Sequence, residues 1–259
     1  MRFGNGGRSS DLEDNRGSSG GFGGGRTVGI GGSAVLLVLS LLFGRNLFQD
    51  TGVTPSVGAG GARGGAGMSA SDSAREEPEV QFVSAVIDDA QATWDKLLPQ
   101  YGKQYHHAKL RLYRDAERTG CGTGQSAMGP FYCPLDERVY LDLGFFDELQ
   151  SKFGAPGQFA QAYVIAHELG HHVQHVLGTD EKMRQAQQRN PDAANQLSVA
   201  LELQADCYAG VWGHSVQQRN LLEPGEMQQG LAAASSVGDD RLTQGRVSPD
   251  NFTHGTSDQ

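Results

Sequence analysis

The segment His167-Glu168-Leu169-Gly170-His171 constrains this chain more than any other, because it places two histidines four residues apart in a stretch that reads as a helix. In an α-helix, residues i and i+4 lie on one face, about 6 Å apart along the axis. Two imidazoles in this arrangement can bind one tetrahedral Zn²⁺. Glu168 is the neighbouring residue, so its carboxylate can contact a water at the metal without being a ligand.

The surrounding residues predict that this helix is buried. Apolar residues recur at helical intervals between 159 and 177, after Gly157 and before Gly178, which can bound the helix. Ionisable side chains in a buried helix cost several kcal/mol unless they are paired or metal-bound. This cost favours a metal over the alternative of ordinary surface or core histidines. Gly170 costs about 1 kcal/mol relative to alanine within a helix, so we expect another element to pack closely against it.

A zinc site needs a third protein ligand, and Glu202 is the best candidate. His175 lies eight residues from His167, about 12 Å along the axis, which is too far for one ion to bind both. Glu202 and Asp206 are four residues apart on a second predicted helix with apolar neighbours. Glu202 can complete a His₂Glu set, and Asp206 can accept the free ring N–H of a ligand histidine. The alternative is an exposed acidic pair.

The remaining histidines are assigned no ligand role. His172 points about 100° away from His171, so we expect it to pack or to hydrogen-bond near the site. A structural role is expected for His106, His107 and His214. The metzincin pattern would require glycine at 174 and histidine at 177, and glutamine and leucine stand there instead, which excludes that class.

Four segments in a fixed order resemble one known family. They are HELGHHVQHVLG at 167–178, LELQADCYAGVWGH at 201–214, GPFYCPLDERVYLD at 129–142 and NFTHGTS at 251–257. Over roughly residues 78–259 the chain is similar to the bacterial neutral zinc metallopeptidases, and its two helical motifs are similar to those of the wider gluzincin group. The resemblance implies a zincin-like fold, Zn²⁺ as cofactor, Glu202 as third ligand and a peptide or protein substrate. Members of the family usually continue past HGTS with a tail that holds another cysteine, so Cys207 is expected either to be packed or to pair with such a tail.

The expected chemistry is metal-assisted peptide hydrolysis with Glu168 as general base. His254 is the candidate donor for the developing oxyanion, followed by Tyr208 and Tyr163. The alternative for His254 is a frayed terminus. Two other functions compete: a membrane-tethered binding or chaperone-like module with a structural zinc, and a degenerate enzyme whose short C-terminus leaves the cleft incomplete.

The composition changes sharply along the chain. Residues 1–26 are rich in glycine and serine and are expected to be disordered and cytoplasmic. Residues 27–44 contain no charge and are just long enough to form a single transmembrane helix, with a cleaved signal peptide as the alternative. Residues 45–77 read as a flexible linker. Arginines before the span predict an inner-membrane protein whose domain, residues 78–259, is periplasmic or otherwise extracytoplasmic.

The domain is predicted to be α+β, helix-dominated with a small sheet. We expect strands at 110–112, 131–133 and 139–143, and helices near 83–98, 145–153, 158–177, 191–218 and 224–237. An exposed strand between 131 and 143 would let a substrate pair through its backbone.

Charge and cysteines narrow the possible partners. The formal net charge is −9, which disfavours nucleic acid as a partner because phosphates require a basic surface. Cys121 and Cys133 bracket a glycine-rich loop, and a disulfide between them in an oxidising compartment would contribute roughly 3 kcal/mol.

Overall fold

The fold is described by a computed structural model that covers residues 1–3, 6–17, 69–151, 157–236, 238–242 and 252–259. Within these ranges the chain is helix-dominated α+β, as the sequence predicts. The helices are α1 (Ala70–Leu97), α2 (Gly144–Ser151), α3 (Gln158–Leu177), α4 (Thr179–Arg189), α5 (Ala194–Gln218), α6 (Glu226–Ser236) and α7 (Asp239–Leu242). Short 3₁₀ helices are Leu98–Tyr101, Ser126–Met128 and Pro191–Ala193.

The described strands form one mixed sheet and one hairpin. They are β1 (Leu12–Asp14), β2 (Lys109–Leu112), β3 (Ala116–Thr119), β4 (Gly122–Gln125), β5 (Phe131–Cys133) and β6 (Arg138–Leu141). The sheet has the order β1-β2-β6-β5, in which β1 and β6 run parallel to β2 and β5 runs antiparallel to β6. Strands β3 and β4 form a separate antiparallel hairpin. Strand β5 therefore lies at the edge of the sheet, where it contacts α3.

Helix α3 lies at the centre of the core. It packs against α1, α5 and α6, and most of its side chains are buried. It ends at Gly178, whose positive φ of 71° is the left-handed conformation that commonly terminates a helix. The helix therefore has the bounds that the apolar periodicity predicts.

Helices α3 and α5 cross in close contact at Gly170. A Cβ atom on Gly170 would lie 2.8 Å from the carbonyl oxygen and 3.1 Å from the Cα of Ala205. The expectation that another element packs closely against this glycine is confirmed. Because Ala205 lies between Glu202 and Asp206 in the sequence, the crossing brings both carboxylates next to the histidines of α3.

The N-terminal segment differs from its prediction. Residues 1–26 are expected to be disordered, but Leu12–Asp14 form β1 and pair in register with Leu110–Leu112 of β2. The buried side chain of Arg16 bonds to Asp14 and, at 2.6 Å, to Glu76 of α1. The glycine and serine content of the segment does not indicate a strand. The strand is also difficult to recognise because only three residues pair, and their partners are about 100 positions away in the sequence.

The predicted transmembrane helix at 27–44 lies outside the described residues. Among the residues that the structure describes, no helix combines the length and the apolar character required to cross a bilayer. A helix that crossed once at 27–44 would separate β1 from β2 by the membrane. The single crossing and the β1–β2 pairing therefore exclude each other.

The linker predicted at 45–77 extends too far toward the C-terminus, because its last residues belong to a helix. Helix α1 already begins at Ala70, and Ser69 caps it by accepting a hydrogen bond at 3.1 Å from the backbone N–H of Asp72. Residues 45–68 lie outside the described ranges. The first turns of α1 are charged and lack the apolar periodicity by which a helix is recognised in a sequence. In these turns, Glu76 accepts a hydrogen bond from the guanidinium group of Arg114 at 2.6 Å.

A disulfide joins Cys121 to Cys133, with the Cα atoms 5.8 Å apart. It links the turn between β3 and β4 to the last residue of β5, at the edge of the sheet. The structure thus contains the pairing that the sequence predicts. Cys207 is a free thiol and is exposed on α5, so the alternative of a packed side chain is wrong.

Candidate metal centre

Helix α3 presents His167 and His171 on one face. Their ring centroids are 4.9 Å apart, and their side chains are only 14% and 15% exposed. The i, i+4 spacing explains this arrangement, since successive helical turns stack such residues on one side. Two imidazoles therefore lie together in a largely water-excluded position.

Glu202 of α5 lies opposite both imidazoles. Its Oε2 atom is 3.2 Å from Nε2 of His167 and 3.4 Å from Nε2 of His171. Donors that bind one tetrahedral Zn²⁺ at about 2.0–2.1 Å are separated from each other by about 3.3–3.4 Å. Both distances match this spacing, and the three donor atoms lie within 4.8 Å of one another. The alternative of an exposed acidic pair is wrong for Glu202, whose side chain is 6% exposed.

A second carboxylate orients His167. Oδ1 of Asp206 is 2.8 Å from Nδ1 of His167, and the same oxygen accepts a hydrogen bond from the hydroxyl of Tyr163. This contact favours a proton on Nδ1, which leaves the lone pair of Nε2 directed at Glu202. Asp206 therefore makes the contact with the ring N–H of a candidate ligand histidine that the sequence predicts.

Gln174 orients His171 in the same way, although it belongs to no ligand motif. Its Oε1 is 2.9 Å from Nδ1 of His171, while its amide nitrogen donates to the carbonyl of Leu201 at 2.7 Å and to Gln204 at 3.1 Å. The side chain is completely buried. The i, i+3 spacing from His171 is the only signal that could have identified it.

The charges of these groups are strongly coupled. Burial opposes a charge on His167, but Asp206 and Glu202 outweigh it and hold the pKa of His167 well above its ordinary value. Burial likewise opposes the charge of Glu202, yet the cationic forms of His171 and His254 keep its pKa well below the usual range. The carboxylates at this position thus stabilise positive charge, and a divalent cation on the three facing donors fits both the charge and the spacing.

Glu168 lies beside this ligand set and is 8% exposed. Burial is the largest influence on its carboxyl group and raises its pKa, against the opposing charges of His167 and His171. A buried carboxylate with a raised pKa is a stronger proton acceptor than an exposed one, which suits Glu168 to act as a base.

His254 is held by a network that includes Asp239, a residue that belongs to none of the sequence motifs. Oδ2 of Asp239 accepts hydrogen bonds from the backbone N–H groups of Thr253, His254 at 2.7 Å and Gly255 at 3.2 Å. Burial lowers the pKa of His254, but Glu202 and Asp239 raise it above the ordinary value. The alternative of a frayed terminus is therefore wrong.

The two other oxyanion candidates are placed differently. The hydroxyl of Tyr163 is bonded to Asp206, behind His167. Tyr208 packs edge-on against Trp94, with ring centroids 5.3 Å apart, on another side of α5.

His172 packs away from the ligand set, as expected. Its Nδ1 accepts a hydrogen bond from the hydroxyl of Tyr132 at 2.8 Å, and its Nε2 donates to the carbonyl oxygen of His106 at 2.7 Å. Burial lowers the pKa of this imidazole to about 4, so it is neutral.

Comparison with known proteins points to the same chemistry. A family model described as "Putative neutral zinc metallopeptidase" matches residues 1–259. The uncharacterized protein YpfJ of Escherichia coli K12 is 48% identical over 97% of this chain and 89% of its own length. The uncharacterized protein Mb2605 of Mycobacterium bovis is 44% identical over 68% of this chain and 62% of its own length, and Rv2575 of Mycobacterium tuberculosis matches equally. No solved structure matches the chain significantly.

Proposed function

Since the chain belongs to the family of neutral zinc metallopeptidases, whose cofactor is Zn²⁺, we propose that it hydrolyses peptide bonds at the site between α3 and α5. His167, His171 and Glu202 hold the zinc, with Asp206 and Gln174 orienting the two imidazoles. The observation that carries this proposal is the convergence of both Nε2 atoms on one carboxylate oxygen, at 3.2 and 3.4 Å. We also propose that the fold is zincin-like, as the family resemblance implies.

The residues of the chain divide the proton chemistry between them. When bound, zinc supplies Lewis acidity that polarises a carbonyl and makes a water more acidic. Glu168 takes the proton of the attacking water and passes it to the leaving amine. His254, held by Asp239, donates a hydrogen bond to the oxyanion as its charge develops.

The proposed substrate is a peptide segment in an extended conformation. Strand β5 lies at the edge of the sheet and contacts α3, so its outer edge can pair with such a segment through backbone hydrogen bonds. Pairing of this kind would align a scissile bond beside α3.

The proposed location is an oxidising compartment outside the cytoplasm. The disulfide between Cys121 and Cys133 supports this location, because such bonds persist where thiols are not kept reduced. Strand β1 must then be on the same side as the rest of the sheet. The single-pass anchor with a cytoplasmic N-terminus is therefore not part of the proposal.

The competing function is a binding or chaperone-like module with a structural zinc. Structural zinc is normally enclosed by four protein ligands. Around this site the described residues form a group of three, which favours catalysis.

Metal removal tests the proposal. We expect the purified full-length chain to cleave members of a peptide library, to lose this activity after treatment with o-phenanthroline, and to regain it when Zn²⁺ is added back. The measurement is mass spectrometry of the cleaved bonds. Zinc binding without any cleavage would favour the binding module instead.

Replacing His254 by alanine tests the oxyanion donor. We expect kcat to fall by about 10²–10³-fold with the zinc content unchanged, because the lost donor acts mainly in the transition state. Asp239→Asn should also lower kcat, but by less than His254→Ala. His214→Ala, at an exposed position on α5, is the control. A fall in zinc content in the His254 variant would contradict the assignment.

A further inference from the structure

We infer that Tyr163 positions a zinc ligand: its hydroxyl fixes the carboxylate of Asp206, which in turn orients the imidazole of His167. The hydroxyl of Tyr163 donates a hydrogen bond to Oδ1 of Asp206, and the same oxygen is 2.8 Å from Nδ1 of His167. This role rests on the ligand set of the proposed function. Tyr163 acts through Asp206 alone, so it is a positioning residue rather than a catalytic one.

Two side chains from successive turns of α3 hold this carboxylate. Tyr163 and His167 are four residues apart, so they lie on the same face of the helix, and their ring centroids are 6.3 Å apart. With the proton of His167 on Nδ1, both side chains donate to one oxygen of Asp206, which fixes the orientation of the carboxylate relative to α3. An aspartate held by a single donor could rotate and exchange this contact for water, because its side chain is 29% exposed.

The surroundings of the contact are fixed by packing. Ala205, the neighbour of Asp206, lies at the crossing of α3 and α5, where a Cβ atom on Gly170 would be 2.8 Å from its carbonyl oxygen. The side chain of Tyr163 is 9% exposed and belongs to the main hydrophobic core. Rotation of the carboxylate is therefore the freedom that remains, and the hydroxyl of Tyr163 restricts it.

Tyr163 is the donor and Asp206 the acceptor in this contact. Burial and the charge of Asp206 raise the pKa of Tyr163 well above its usual value, so the hydroxyl keeps its proton. Burial opposes the charge of Asp206, but hydrogen bonds from His167 and Tyr163 lower the pKa of its carboxyl group. A tyrosine hydroxyl has one proton to donate, and Asp206 accepts it. Tyr163 is therefore not the donor to the oxyanion.

This series of contacts sets the direction of a metal-binding lone pair. The hydrogen bond at Nδ1 fixes the rotation of the His167 ring, and the ring directs its Nε2 toward Oε2 of Glu202, 3.2 Å away. Loss of the tyrosine hydroxyl should loosen the orientation of Nε2 without removing a ligand. The effect on zinc affinity should be smaller than that of removing Asp206, which contacts His167 directly.

The zinc affinity of the full-length chain tests this role. We expect Tyr163→Phe to weaken Zn²⁺ binding by about three- to tenfold in competition with a chromophoric chelator, against about 10–100-fold for Asp206→Ala. Phenylalanine keeps the ring in the core, so only the hydroxyl is lost. Tyr105→Phe is the matched control, because it removes a part-buried hydroxyl that donates to Gln91 at 3.3 Å, and it should leave the affinity unchanged.

The double variant separates positioning from a general structural effect. Once residue 206 is alanine, the hydroxyl has no carboxylate to hold, so adding Tyr163→Phe to Asp206→Ala should change zinc affinity by less than about twofold. Additive losses, or an unchanged affinity in the single Tyr163 variant, would overturn the inference. Thermal unfolding followed by circular dichroism verifies that each variant is folded.

The visible spectrum of the Co²⁺-loaded chain gives a second readout, because its bands depend on the geometry of the ligands. The bands should change in Tyr163→Phe and in Asp206→Ala, and they should stay as in the wild type in Tyr105→Phe. A wild-type spectrum in the Tyr163 variant would also contradict the positioning role.

These measurements distinguish the role of Tyr163 from the proposed function. None of them uses a peptide, so coupled zinc affinities would support the positioning role even if the chain cleaved no peptide. Zinc-dependent cleavage together with an unchanged zinc affinity in Tyr163→Phe would instead retain the peptidase and refute the positioning role.

Discussion

Replacing Glu168 by glutamine is expected to lower kcat by about 10²–10⁴-fold while the chain keeps its zinc. Glutamine has nearly the same volume as glutamate, so the buried position, 8% exposed, can accept it without repacking. The amide cannot take up the proton of the attacking water. Glu168 also lies outside the set of three converging donors, so metal binding should not depend on it.

The measurement combines turnover of a cleaved library peptide with zinc content after dialysis. Glu181→Gln provides a matched control, because the same change is made at an exposed position of α4. If the Glu168 variant keeps its turnover, another group is the base. If it loses zinc, Glu168 is a ligand and the division of roles proposed for α3 is wrong.

Replacing Glu202 by glutamine is expected to remove both zinc and activity. Loss of a partner that only orients a ligand typically lowers metal affinity by about 10–100-fold, and loss of a ligand should exceed that range. The change also removes the only carboxylate that faces both imidazoles at 3.2 and 3.4 Å among the described residues. Metal competition against a chromophoric chelator gives the affinity of each variant.

A graded series makes this result specific. Asp206→Asn should lower zinc affinity by about 10–100-fold, because it removes the acceptor of His167 without removing a ligand. The order wild type, Asp206→Asn, Glu202→Gln should hold for both affinity and activity. Equal zinc content in the Glu202 variant and the wild type would refute the ligand assignment.

The periodicity of apolar residues was sufficient to predict the bounds of the elements with a strong apolar pattern. Helix α3 has the bounds 158–177 that the sequence predicts, and β5 has the predicted bounds 131–133. Helix α4 was missed because its sequence is almost entirely polar, and its one buried apolar residue is Met183. Strand β1 was missed because its stability comes from pairing with a distant strand rather than from its own residues.

The sequence by itself determined that His167 and His171 share one face, since the geometry of a single helix requires it. Only the tertiary structure decided that Glu202 lies between them, because that contact depends on the crossing of α3 and α5 at Gly170. The tertiary structure also decided that Gln174, which contacts His171 within α3, bonds to Leu201 and Gln204 of α5, and that Asp239 bonds to the backbone of His254. Hydrogen bonds between separate elements leave no periodic pattern in a sequence.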